Sequence, residues 1–449
     1  MIADKAKVSA VIFNKFDKIV FMNSLNHQSE WWLRGNFYSL YIDKFAGNIP
    51  TLIDKLDYFS QLNVDCLHIM PHYPTPYCDG GYDITDHTGV RSDLGTIDDF
   101  KRLCDEAHKR GLKIMADLVL NHTSEDHPWF KEARQTKSNS KRDFYIWSDT
   151  GTEFADSKMI FPEFKESNWI RNQATNDFYY ATFKPCQPEL NWHNPAVQEA
   201  MFAVVDTLVS YGVDGFRLDA IMKLVELDHT TSLNLPETHD RIKDLRTHID
   251  THHPGKIILG EVIETTKVAR TYFGEGNECH LSYNFEMMNE ILYALLLGNR
   301  TDRLRTVVEA ARRIPPGTSW MSFLRNHDSL SLTAIDEVRA EALLKKIDPE
   351  KKFMFSNGTE TTQRLYNVLG ADEQLVREAF SMLYALPTAT VMYYGDEIGM
   401  QNEPLQPGED DMRFVSRGPF DWDLAKQQMN DKGSLWHHVR KCMERSGRL

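Results

Sequence analysis

The 449-residue chain has no apolar run near the roughly 20 residues that a bilayer-spanning helix requires, so nothing in it reads as a membrane span. It also has no convincing export signal. The apolar stretch nearest the start, Val8–Phe13, is short, is flanked by Lys5, Lys7, Lys15 and Asp17, and precedes no small-residue cleavage site. Cys66, Cys78, Cys104, Cys186, Cys279 and Cys442 form no CxxC pair and no zinc-like spacing. Such a scatter is expected to be free thiols in a reducing compartment, which makes the cytoplasm the expected location. Cationic excess is missing as well. Lys plus Arg number 51 against 65 Asp plus Glu, a net charge of −14, which excludes a nucleic-acid backbone as partner. No Pro/Ser-rich block, no charged tail and no internal repeat interrupts the chain.

What is present is the composition of a folded globular protein, 41% hydrophobic and 26% charged, with 24 Phe, 17 Tyr and 9 Trp. These aromatics leave room for a sugar-binding cleft. Eight β-like runs recur, at 37–45, 64–71, 113–121, 213–220, 256–262, 279–285, 320–326 and 388–394, several apolar on both faces as covered strands should be. Helical patterns lie between them. Phe100, Leu103, Cys104 and Ala107 share one face in 96–110, and Val197, Met201, Val204, Val205 and Leu208 share one in 197–210. Eight strands alternating with helices, with polar residues at the strand ends, predict an α/β fold: a (β/α)8 TIM barrel rather than a doubly wound sheet.

Two intervals break the period. About 90 residues separate the third and fourth strands, far more than a βα connection needs, and predict a small subdomain inserted beside the barrel mouth. The interval 329–386 is charged and helical in character, with a turn at Asn357–Gly358. The expected organisation is an N-terminal extension (1–36), a first barrel part (37–122), the insert (123–193), a second barrel part (194–422) and a C-terminal helical segment (423–449).

Three carboxylates stand at predicted strand ends: Asp219 in Gly-Phe-Arg-Leu-Asp, Glu261 in Leu-Gly-Glu, and Asp328 in Asn-His-Asp. The C-terminal ends of barrel strands converge on one mouth, so the three are expected to meet. Glycoside cleavage needs such a set, one carboxylate for the anomeric carbon and another to protonate the leaving oxygen. Arg217, two residues before Asp219, shares its face of the strand and is expected to keep it ionised, because a nearby cation lowers a carboxyl pKa. Each acid taken alone would more often be a cap or a surface charge; jointly, in this order, they are not.

At this point the chain resembles glycoside hydrolase family 13, the α-amylase family. Asp-Leu-Val-Leu-Asn-His at 117–122 is similar to its third-strand motif, 215–219 to its fourth, Glu261 to its fifth, and Asn326, His327 and Asp328 to its seventh. Gln-Pro-Glu-Leu-Asn at 187–191 resembles the insert motif with Glu189 where Asp is usual, and 394–400 resembles the eighth-strand motif; the similarity runs from about Phe37 to Trp422. The resemblance implies that Asp219 is the nucleophile of a retaining mechanism, Glu261 the acid/base, and Asp328 the acid that binds the sugar 2- and 3-hydroxyls. His122 and His327 would bond the same sugar, Asp79 would hold a terminal glucose, Tyr82 would stack on its ring, and Arg417 would contact its non-reducing end.

The resemblance also implies a Ca2+ site from Asn121, Glu189 and Glu226 with the carbonyls of Lys223 and Leu224, oxygen donors of the kind a hard cation takes. The alternative is that these residues cap and brace the insert. Segments 121–130, 234–239 and 274–286 most resemble the trehalose-synthase branch, which interconverts maltose and trehalose, while 45–48 and 67–71 resemble the amylosucrase branch, which uses sucrose. The implied partner is therefore a small α-glucoside, with α-glucosidase or amylosucrase-like chemistry as the alternative, and a non-catalytic family relative as the rival from another class. Family members carry a β-sandwich after the barrel that this sequence does not show. An exposed apolar barrel face is therefore expected, covered by a partner or by a second copy in a homo-oligomer.

Overall fold

The apolar runs collapse into strands that pair in chain order. In the computed structural model, which describes residues 30–298, 301–356, 358–406, 408–409 and 411–446, these are β1 (Asn36–Leu40), β2 (Cys66–Ile69), β3 (Lys113–Leu118), β4 (Gly215–Leu218), β5 (Ile257–Gly260), β6 (Leu281–Tyr283), β7 (Ser319–Ser322) and β8 (Ala389–Tyr393). Each pairs in parallel with the next, and β8 closes on β1, giving the expected barrel. Both faces of the strands are covered, so nearly every strand residue is buried. Most of 1–36, including Val8–Phe13, lies outside the described residues, as does Asn357 of the expected turn.

The helices start where capping residues stop the preceding loop. Helix Ile97–Lys109 opens with a capping box in which the Thr96 side chain and Asp99 bond each other's backbone N–H. Helix Pro195–Ser210 is capped by Asn194 and carries proline in its first turn, where a missing N–H costs nothing. The loop between β3 and β4 holds a three-stranded antiparallel sheet, Trp147–Ser148, Trp169–Asn172 and Asp177–Tyr180. The excursion between β7 and β8 is more than helical. Besides helices Glu337–Ile347 and Glu373–Leu383 it forms a second small sheet from Leu330–Ser331, Met354–Phe355 and Glu360–Thr361.

Two expectations are corrected here. Cys78 and Cys186 are joined in a disulfide, and the remaining cysteines, Cys66, Cys104, Cys279 and Cys442, are free and buried. Spacing hid the pair because its partners lie 108 residues apart and meet only when the insert folds back on the β2 loop. The apolar barrel face is not exposed either: among the described residues the exposed large hydrophobics are Ile97, Leu227 and Val338, on three separate segments. Part of that cover comes from helix Leu435–Ser446, which packs on helix Glu373–Leu383 and on helix Leu56–Leu62. Among the described residues no helix is long and apolar enough to cross a membrane.

Candidate active site

Parallel register sets the first layer of the mouth. Asp117 on β3 lies beside Arg217 on β4, and Arg217 beside Leu259 on β5, two residues before Glu261. The Arg217 guanidinium is 1% exposed and holds three carboxylates: Nη1 donates to Asp117 Oδ1 at 2.6 Å and to Asp219 Oδ1 at 2.5 Å, and Nη2 lies 2.5 Å from Glu261 Oε1. The Ala220 N–H donates to the other Glu261 oxygen at 3.2 Å. Gly260, immediately before Glu261, has no room for a side chain. A Cβ there would lie 2.8 Å from Ile221 Cδ1 and 2.9 Å from Cys279 Sγ.

One cation for three buried acids decides their protonation. Burial would raise Asp117, yet Arg217 and His68 outweigh it and hold that carboxyl below the ordinary range. For Asp219 the balance goes the other way. Burial and Glu261 push it up more than Arg217 pulls it down, which runs against the expectation that Arg217 keeps it ionised. Glu261 is also raised, by burial first and by Asp328 among its neighbours, with Arg217 opposing. The Asp219–Glu261 pair therefore retains a proton in the range where free carboxyls have lost theirs, as an acid/base beside a nucleophile requires. Exposure rises outward, from 7% for the Glu261 side chain to 13% for Asp219 and 33% for Asp328.

The other expected residues line the same mouth. Tyr82 is buried with its hydroxyl 2.8 Å from His327 Nε2, and the two rings stack at 5.4 Å. His122 Nε2 is 3.2 Å from the Tyr82 carbonyl and 2.9 Å from Gln187. Burial holds His122 at about 4 and drives His327 well below its ordinary value, so both imidazoles are neutral at pH 7. Arg417 donates to Asp328 at 3.2 Å and to the His327 carbonyl at 3.2 Å. Gly80, at φ +59°, leaves the space its guanidinium occupies. Asp79 faces two cations of the protein itself, Arg413 and Lys184, and accepts from Gln187 at 3.0 Å. Burial alone would raise Asp79, but those cations hold it at about 2.

Several participants escaped the sequence. Asp117 and Gln187 open the motifs at 117–122 and 187–191, and His68, which bonds Asp117 at 3.1 Å and Ser39 at 2.8 Å, lies in the segment 67–71. Arg413 carried no signal. It joins Asp411 and Asp79 to Asp328, which it reaches at 3.1 Å. Phe161 and Phe183 of the insert meet Phe355 of the β7–β8 excursion over Ala220, the residue after Asp219. The Phe161 ring sits 5.9 Å from Phe183 and 5.6 Å from Phe355, and the Arg413 guanidinium lies 4.9 to 5.1 Å from Phe355 and Phe161. This aromatic roof joins two loops far apart in the chain, which is why no local pattern announced it.

The expected calcium ligands are brought together, but as a salt-bridged cluster. Two Glu189 oxygens without a hydrogen-bond donor would suit a cation. Burial and the adjacent Glu226 push Glu189 well above the ordinary carboxyl range. The Lys223 ammonium already serves Glu226 at 3.2 Å and Ser157 at 2.8 Å, and the Asn121 amide donates to the Lys223 carbonyl at 2.5 Å. Lys165, also buried, feels both glutamates. Two acids facing two ammoniums, with one carbonyl taken, do not fit a divalent cation.

Residues 19–359 match the family model described as alpha amylase, catalytic domain. The chain is 37% identical over 403 residues to the trehalose synthase/amylase TreS of Mycobacterium tuberculosis, aligning 87% of itself with 66% of that protein. It is 38% identical to the trehalose synthase of Thermus thermophilus, aligning 87% of itself with 42% of that protein. The chain thus spans at most about two thirds of these relatives. Among solved structures, the α-glucosyl transfer enzyme XgtA superposes with a TM-score of 0.76 at 25% identity, over 94% of this chain and 85% of that one.

Proposed function

We propose, from the premise that this chain belongs to the alpha-amylase catalytic-domain family, that it transfers α-glucosyl units between small α-glucosides with retention, as a trehalose-synthase-like enzyme interconverting maltose and trehalose. The observation that carries this reading is the Arg217 guanidinium holding Asp219 and Glu261 at 2.5 Å each across β4 and β5. With the proton that the pair retains placed on Glu261, the Asp219 carboxylate attacks the anomeric carbon while Glu261 gives that proton to the departing glycosidic oxygen. A β-glucosyl ester of Asp219 and a free sugar hydroxyl result. Glu261, now a carboxylate, takes the proton of an incoming hydroxyl as that oxygen displaces Asp219, which returns both groups to their starting states. Asp328, steadied by Arg413 and Arg417, would hold the ring hydroxyls through the flattened transition state.

In this reading the acceptor depends on how far water is kept from the glucosyl ester. The roof of Phe161, Phe183 and Phe355 supports retention of the released glucose, which turns and re-attacks through another hydroxyl. Incubation with maltose, followed by chromatography of all products, tests the reading. Trehalose is the expected main product and glucose the minor one, whereas polymer from sucrose would select an amylosucrase-like enzyme. Failure to convert any of maltose, trehalose, sucrose or p-nitrophenyl α-glucoside would refute the proposal. The D219N variant should lose the covalent intermediate. E261Q should keep more activity on p-nitrophenyl glucoside, whose leaving group needs no proton, than on maltose. The cytoplasm remains the proposed location, to be checked by cell fractionation, because the Cys78–Cys186 pair removes part of the ground for it.

A further inference from the structure

Away from the mouth, two histidines and an aspartate converge from two barrel helices. His248 Nε2 lies 2.7 Å and His253 Nε2 2.6 Å from the same atom, Asp206 Oδ1. Asp206 sits four residues before the end of helix Pro195–Ser210. His248 lies near the end of helix Pro236–His252, and His253 is its C-cap. The His248 ring is held flat against Phe202 at 4.6 Å and 18°. The His252 ring stands 4.7 Å from that of His248. The imidazoles are 15% and 19% exposed and the carboxylate 46%, so an ion and its water ligands have an open approach.

We propose that Asp206, His248 and His253 form a site for a divalent transition metal of the zinc class. Among the described residues these are the only three His, Cys, Asp or Glu side chains whose ligand atoms lie close enough to share one ion. Two imidazoles and one carboxylate are a donor set that Zn2+ takes readily, at about 2.0–2.2 Å per bond. The ion would replace the present 2.6–2.7 Å contacts, its ligands separating to the wider spacing around one metal and water filling the remaining positions. Helix Pro195–Ser210 leads into β4, which precedes Asp219, and helix Pro236–His252 leads into β5, which precedes Glu261. Their C-terminal ends lie at the foot of those strands, opposite the mouth, where residues of a barrel serve stability rather than chemistry. The ion would clip the two helices together and leave the reacting groups untouched.

Zinc titration of the full chain, after removal of adventitious metal by chelator and dialysis, tests this by calorimetry and by thermal unfolding. One equivalent should bind saturably, and the melting temperature should climb with the logarithm of free zinc. D206N, H248Q and H253Q should each weaken binding at least tenfold and lose the thermal shift, while H252Q should keep both. Absence of one-equivalent binding in the unmodified chain would overturn the site. So would a H248Q/H253Q double variant that binds zinc as tightly as the parent.

Discussion

Gln187 donates a hydrogen bond to Asp79 at 3.0 Å, and each of the two directly follows one half of the Cys78–Cys186 disulfide. One belongs to the β2 loop and the other to the insert, so the covalent link fixes the spacing of two walls of the sugar site. Alkylation of the unfolded protein without reductant should count four thiols, and with a dithiol reductant six. Reduction, or C186S, should raise KM for maltose by about tenfold with a smaller change in kcat, since ground-state binding is lost while Asp219 and Glu261 stay in place. An unchanged KM in a protein whose disulfide is demonstrably broken would show that the link only braces the fold.

The aromatic roof makes a separate prediction about product ratio. Phe355→Ala removes one ring from the cluster over Ala220 without touching the acids. Water should then compete better for the glucosyl ester, and the ratio of glucose to trehalose formed from maltose should rise several-fold. A ratio equal to that of the parent would mean that water is excluded elsewhere.

Lys223, in the turn after β4, acts as the resident cation beside Glu226. Lys223→Met should cost about 3–5 kcal/mol in urea unfolding, because Glu226 is left buried without its ammonium. Added calcium should leave the melting temperature of the parent chain unchanged. A calcium-dependent rise would restore the metal reading of Asn121, Glu189 and Glu226.

Glu397 links pH to stability. Tyr38 and Tyr58 both donate to its Oε1 at 2.7 Å, but burial outweighs these bonds and lifts its pKa from 4.5 to about 7. The folded state holds this proton more tightly than the unfolded one. The stabilisation is therefore complete below pH 4.5 and is lost as pH rises through about 7. The loss is on the order of 3 kcal/mol for a fully buried carboxyl. Unfolding curves between pH 4 and 8 should show this decline in the parent and a flatter profile in Glu397→Gln; parallel profiles would reject the assignment.

The strands and the acids at their ends were legible because both are local. Period, apolar runs and the Gly-Phe-Arg-Leu-Asp segment name β4, Arg217 and Asp219 without reference to any distant residue. Asp117 was visible as a letter but not as a partner, since only the β3–β4 register places it against Arg217. What the sequence by itself determined is a barrel with carboxylates at its mouth, through hydrophobic periodicity and residue order. Tertiary structure alone decided which cysteines pair, that Arg413 ties Asp79 to Asp328, that Lys223 stands where a metal was expected, and that burial overrides Arg217 at Asp219. The physical reason is that the distances between remote residues, and the burial that sets the dielectric around near ones, arise only when the chain folds.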